Sequence, residues 1–172
     1  MAGALVVGGR SVLPGGGNDT ICLGDGNDRG TASGDSKLFA GPGDDTILWS
    51  RGAVVAFGEA GNDVFRPGWY GIRGSGLTLD GGDGNDTMTG THKGDTLNGG
   101  AGDDILCGGT AYSDGCVETI RDGADELYGG NDNDTLDGGA VIPAGTTPGD
   151  LASGDDGHDI CRNVDRSNGC EA

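Results

Sequence analysis

Asp86, Asp95 and Asp104 stand nine residues apart, and each is followed two residues later by an apolar side chain, Met88, Leu97 or Leu106. The first of these blocks reads Gly81-Gly82-Asp83-Gly84-Asn85-Asp86-Thr87-Met88-Thr89, and two further nine-residue blocks carry the chain to Cys107. A fixed short period of glycine-rich turn plus one inward apolar residue specifies a parallel β-solenoid, and an aspartate at constant phase supplies an oxygen ligand at every turn. Helix is excluded on the same grounds, because glycine recurs too often and no apolar stripe at i, i+3, i+4, i+7 persists.

The phase continues on both sides. Asp19 and Asp28 are nine apart; Asp45, ahead of Ile47, and Asp63, ahead of Phe65, are eighteen apart. Asp125 with Leu127 and Asp134 with Leu136 repeat the nine-residue step, as do Asp150 with Ala152 and Asp159 with Cys161. Met88, Leu97, Ile105, Leu106, Leu127 and Leu136 are the expected core. The steps from Asp28 to Asp45, Asp63 to Asp86, Asp104 to Asp125 and Asp134 to Asp150 are not multiples of nine, which predicts loops or deletions interrupting the coil there.

Calcium is the ion that this pattern suits. It is a hard cation taking six to eight oxygens, and a repeating turn that bends its carbonyls to one edge and adds one carboxylate meets that demand. Glycine serves such turns because they need positive φ and close backbone approach. Magnesium, with its octahedral shell and retained waters, fits less well. His92 and His158 are the only histidines and belong to no ligand cluster, so zinc and copper are poorly served.

The blocks resemble the GGxGxDxUx nonapeptide of the hemolysin-type, or RTX, calcium-binding repeat family, in a secreted, disulfide-capped variant. The resemblance implies an all-β fold, a right-handed parallel β-roll (β-solenoid) with inserted loops, in which two nonapeptides make one coil and calcium lies between stacked turns. By that resemblance the carboxylate role falls on Asp19, Asp28, Asp45, Asp63, Asp86, Asp95, Asp104, Asp125, Asp134, Asp150 and Asp159. The carbonyl role falls on Gly81, Gly82, Gly84, Gly99, Gly100, Gly102, Gly129 and Gly130. Lys37, Val54 and Ile72 occupy places where the phase calls for aspartate, so those turns are expected to hold no ion; Lys93 and Pro148 replace the fourth-position glycine of their blocks. An ion needs two consecutive turns on one edge, which favours the pairs Asp45/Asp63 and Asp86/Asp104 and an occupancy of about four to eight ions.

Composition agrees. Forty glycines and 33% hydrophobic residues build no ordinary globular core, and the formal net charge is −18. Such a chain reads as disordered unless cations cancel its repulsion, so folding and metal binding are expected to be one equilibrium. The acidity excludes nucleic acid and anionic membrane as partners. No apolar run reaches the length of a transmembrane helix, and no basic n-region with a cleavage site is present, so an export signal is expected to have been removed or to lie outside this sequence. The chain is expected to be a monomer with a single domain over 1–172: an N-terminal cap at 1–14 beginning with Ala4-Leu5-Val6-Val7, repeats over 15–160 interrupted near 49–57, 66–80, 108–120 and 140–148, and a cap at 161–172. Roughly nine coils would give a rod about 45 Å long.

Cys107/Cys116 and Cys161/Cys170 are each nine apart and are read as disulfides; C-x8-C is not a usual zinc spacing. Disulfides and a calcium-rich medium together place the protein outside the cell. Cys22 is left over, as a small residue at a strand end or a link to a second chain. The ending from Cys161 to Ala172 resembles the disulfide-closed tail of secreted calcium-repeat proteins and differs from the uncleaved C-terminal signal of type I exported toxins.

No nucleophile elbow, phosphate-binding loop or histidine with a partnered nucleophile is present, so no catalytic residue is assigned and the chain is read as a non-enzyme. The leading reading is a structural or folding calcium module. The alternatives are a module binding carbohydrate or a cell surface through Trp69 and Tyr70, where aromatics flanked by Arg66 and Arg73 suit such contacts, and the non-catalytic appendix of a secreted enzyme.

Overall fold

A computed structural model of the chain describes residues 5–7 (as backbone), 17–68, 76–109, 116, 123–139 and 149–171. Trp69, Tyr70, Ile72 and Pro148 lie outside these. The described residues form two parallel sheets and no helix. One sheet stacks nine strands in the order β1 (Leu5–Val7), β2 (Thr20–Cys22), β4 (Lys37–Pro42), β6 (Val55–Ala60), β8 (Thr78–Asp83), β10 (Thr96–Ala101), β12 (Glu126–Asn131), β14 (Leu151–Asp156), β16 (Arg166–Asn168). The other stacks eight: β3 (Arg29–Ala32), β5 (Thr46–Trp49), β7 (Val64–Pro67), β9 (Thr87–Thr89), β11 (Ile105–Cys107), β13 (Thr135–Asp137), β15 (Asp159–Arg162), β17 (Cys170–Glu171). β1 and β2 are neighbours in the first sheet, and from β2 onward successive strands alternate between the two sheets. This is an all-β parallel β-roll.

The strands are short, and their alternate residues enter the core. Ile21, Leu38, Ala56, Leu79, Leu97 and Leu127 align as one inward column through the first sheet, and Ile47, Phe65, Met88, Leu106 and Leu136 align through the second. All are buried. Ile105, expected in the core, is instead 53% exposed. Successive side chains of a strand point to opposite faces, so the inward placement of Leu106 sends Ile105 out.

The irregular spacings do not interrupt the coil. Asp63 and Asp86, 23 residues apart, are joined rung to rung just as Asp45 and Asp63 are at 18, and so are Asp104 and Asp134 at 30 and Asp134 and Asp159 at 25. Strand register is kept across these steps. Across 49–57 the register is unbroken, Lys37 pairing with Val55 and Phe39 with Phe57. Backbone conformation sets the turns: Gly84 and Gly102 have φ of 130° and 122°, where a side chain is strained and a Cβ would meet the preceding rung's carbonyl. Glu59, Asp132 and Asp155 hold φ of 80°, 78° and 67° at glycine's places in their turns.

Two disulfides, Cys107–Cys116 and Cys161–Cys170, are formed, with Cα separations of 5.6 and 5.7 Å. Cys22 is a free thiol, half-buried at the end of β2 and in register with Phe39. The inside–outside alternation predicts that Leu106→Ala lowers unfolding stability by about 2–5 kcal/mol, as a buried leucine does. Ile105→Ser should change it by less than about 0.5 kcal/mol. Denaturant midpoints in saturating calcium check both.

Candidate metal centre

The turns leading into the second sheet form one edge of the roll, and all but the last, before β17, end in a buried aspartate. Asp28, Asp45, Asp63, Asp86, Asp104, Asp134 and Asp159 stack in that order. The backbone N–H of each donates to Oδ1 of the next, at 2.6 to 2.9 Å, six such bonds in all. One carboxylate oxygen per rung is thereby committed to the fold.

The other oxygen is not. Oδ2 of Asp45, Asp63, Asp86, Asp104, Asp134 and Asp159 is buried with no hydrogen-bond partner. Buried carboxylate oxygens are normally satisfied, because desolvating the charge without compensation is costly. Except at Asp45, whose turn begins with Ala40, these oxygens sit against the first glycine of their own turn: a Cβ at Gly81 would overlap Asp86 Oδ2 and crowd the Gly99 carbonyl oxygen, and Gly99 stands in the same relation to Asp104 Oδ2 and the Gly129 carbonyl. Carbonyl oxygens of Gly82 and Gly100 line the stack one position on, each facing the glycine of the following rung. An oxygen-rich, glycine-lined edge with unsatisfied anionic atoms fits a hard cation. Among the described residues no three His, Cys, Asp or Glu side chains cluster as a metal site. The oxygen atoms that this edge presents are one free carboxylate oxygen per turn and backbone carbonyls.

Burial, first of all, and then repulsion from neighbouring aspartates raise these carboxyls above their ordinary 3.8: Asp63, Asp86 and Asp104 to about 7 and Asp134 to about 6. Asp45 is raised too, by burial and by Asp28 and Asp44. The Asp-to-amide bonds pull the other way and are outweighed.

The opposite edge is less regular. Reading along it, the position of the buried aspartate is filled by Asp19, Ser36, Val54, Leu77, Asp95, Asp125, Asp150 and Asp165. Ser36 imitates the aspartate bond, its Oγ accepting from the Asp19 N–H at 3.2 Å. Leu77, Asp95 and Asp125 donate N–H to Asp95, Asp125 and Asp150 respectively. Asp95 Oδ2 also accepts from the Thr91 N–H at 2.6 Å and hydroxyl at 3.1 Å, so Asp95 is satisfied by protein alone. Burial and Asp165 raise Asp150.

A family model described as RTX calcium-binding nonapeptide repeat (4 copies) matches residues 15–29, 31–49, 50–69, 80–111 and 121–140, the larger part of the chain. The chain belongs to this family. Searches of curated proteins and of solved structures each found no match. The RTX repeat is a calcium-binding repeat.

Of the expected carboxylate ligands, the roll gathers Asp28, Asp45, Asp63, Asp86, Asp104, Asp134 and Asp159 on one edge and Asp19, Asp95, Asp125 and Asp150 on the other. Asp45/Asp63 and Asp86/Asp104 are neighbours on the first edge, as expected, but Asp63 and Asp86 are neighbours as well. Gly81, Gly99 and Gly129 lie under the carboxylates, whereas Gly82, Gly100, Gly130, Gly84 and Gly102 form the two positive-φ columns of the turns. The aspartate-less positions fall on Ser36 and Leu77 rather than on Lys37 and Ile72, because one coil is 17 residues long and the next step carries an insertion; Val54 is where it was expected. Asp165 was not anticipated, since the last coil is shortened. Also unanticipated is an outer ladder of Asn27, Asp44, Asn62, Asn85, Asp103 and Asn133. Each side-chain oxygen accepts the backbone N–H of the following rung's counterpart at 2.8 to 3.1 Å, ending on the His158 N–H. The signal was present in the sequence as the recurring Asn-Asp and Asp-Asp pairs.

A carboxyl whose folded value is raised contributes stability that is full below its unfolded value and lost as pH rises through the folded value. Calcium-free protein should therefore lose stability between about pH 4 and pH 8, with the steepest loss near the values of about 6 to 7. Thermal melts in chelator across that range check the slope; a calcium-free stability that rises toward pH 8 is the contrary result.

Proposed function

We propose that this chain is an extracellular calcium-binding β-roll module with a structural role, whose folding is coupled to ion binding. The observation that carries the reading is the column of buried, unpartnered Oδ2 atoms on the regular edge. Left charged and unpaired they oppose folding; a calcium ion held between two consecutive turns removes both penalties. The turns of Asp28, Asp45, Asp63, Asp86, Asp104, Asp134 and Asp159 give six intervals, so about six ions on this edge is the occupancy that ligand demand favours. The holding groups are these carboxylates and the carbonyls of the intervening glycines, Gly81, Gly82 and Gly84 with Gly99, Gly100 and Gly102 being the most regular set. On the other edge Asp125, Asp150 and Asp165 offer the next candidates.

Export is supported by two disulfides in a chain rich in calcium ligands, since both suit an oxidising, calcium-replete compartment. We read the role as non-catalytic, because the buried aspartates are spaced for metal and the sequence carries no nucleophile elbow or phosphate-binding loop. A polysaccharide or cell-surface contact through Trp69 and Tyr70 rests on the sequence of that loop; loss of polysaccharide retention on Trp69→Ala with unchanged calcium binding would establish it.

The decisive experiment is far-UV circular dichroism of chelator-treated protein titrated with calcium, with magnesium as control. A gain of β-structure with calcium and not with magnesium is expected. A spectrum already β and indifferent to calcium would overturn the proposal. Asp104→Asn should split in sign: it removes a buried charge and stabilises the calcium-free protein, while it weakens the calcium response by at least about tenfold, or about 1.4 kcal/mol.

A further inference from the structure

The interior of the roll changes character along its axis. Through Met88 the inward positions are filled by apolar side chains except at Gly30, Gly58 and Gly81, of which Gly58 and Gly81 already pack on Oδ2 of Asp63 and Asp86. Leu23 and Ala40 occupy, by register, the column that Gly58, Gly81, Gly99, Gly129 and Gly154 occupy later. Trp49 and Pro67 occupy the column continued by Gly90, Gly108 and Gly138. Trp49 and Phe65 are the two largest fully buried side chains. The irregular edge is apolar here as well, with Val54 and Leu77 buried where aspartate stands later.

Beyond Met88 each strand contributes a single inward apolar residue: Leu97, Leu106, Leu127, Leu136, then Ala152 and half-buried Cys161. The remaining inward positions are glycines packed directly on aspartate oxygens, Gly90 on Asp95, Gly99 on Asp104, Gly108 on Asp125, Gly129 on Asp134 and Gly154 on Asp159. Aspartate is now buried on both edges. Both disulfides lie in this region.

We infer that the roll consists of two parts with different needs for metal. The part through Met88 is held by its apolar interior and keeps its fold without calcium. The part from Gly90 to Cys170 orders only with calcium, rung by rung on the edge that β8 and β9 present. This rests on the calcium-coupled reading above and adds to it where the coupling resides and in which direction order spreads. The apolar part removes from water the large side chains that drive folding, whereas glycine columns bury little and lose the most backbone freedom. Carboxylates stand on one edge of the first part, apart from Asp19 at its first described rung, and on both edges of the second, so repulsion weighs on the second most. The disulfides confine that second part while it is disordered, which reduces the entropy lost when it stacks.

Hydrogen exchange with mass-spectrometric readout on the intact, disulfide-bonded chain, in chelator and in calcium, tests this. Amides of β4 to β8 should be protected in both conditions, and those of β10 and β12 to β15 should slow by at least about tenfold only in calcium. Protection that appears everywhere together on adding calcium would overturn the two-part inference and leave the calcium module intact. Protection indifferent to calcium throughout would overturn both. Asp134→Asn gives a second test: it should lower calcium-dependent protection of β12 to β15 and leave β4 to β8 in chelator unchanged, and equal loss in both parts would overturn the inference.

Discussion

Everything in this roll hangs on the bond from the backbone N–H of one buried aspartate to the carboxylate of the next. That bond fixes the vertical spacing of the turns, commits one oxygen of every carboxylate, and turns the other away from water. A hydrogen bond to a carboxylate is worth more than one between neutral groups, and the edge repeats it six times. The same geometry stacks anionic groups at one rung's separation in a poorly solvated place, so the interaction that organises the edge also charges it. Metal binding is the resolution that the calcium-repeat family supplies.

The outer ladder at the preceding residue shows a neutral solution to the same stacking problem. There Asn27, Asn62, Asn85 and Asn133 alternate with Asp44 and Asp103, and the side chains face water. Its bonds run in the opposite sense, each side chain accepting from the following rung instead of the preceding one. Two antiparallel ladders of side-chain-to-backbone bonds thus bracket every turn of the regular edge, one exposed and uncharged at most positions, one buried and carboxylate throughout. Glycine serves both by letting the backbones approach closely enough for the bonds to form.

How much of this was legible in the sequence varies with the kind of information. The nine-residue phase of Asp86, Asp95 and Asp104 was enough for the fold, because a period-two strand and a glycine turn leave no other closed arrangement for so short a unit. The inward leucines followed from the same phase. Ile105 did not, because two adjacent apolar residues leave the inward one undecided until the rung above and below are known. Edge membership was readable only where spacings were multiples of nine. Across the insertions between Asp63 and Asp86 and between Asp104 and Asp134 the register is unaltered, a fact that depends on pairing between distant strands.

The sequence alone therefore determined the repeat, the parallel roll, the residue type at each turn and the chemical class of the ion, since all of these follow from local spacing and from the donor atoms that each unit carries. Tertiary structure decided which aspartates are neighbours, which carboxylate oxygens are already used by the protein and which are orphaned, as with Asp95, satisfied by Thr91, against Asp104, left with a bare Oδ2. The physical reason is that a single turn supplies only part of a coordination shell and part of a hydrogen-bond ladder. What completes either one comes from the next rung, 17 to 30 residues away in the chain and directly above in space.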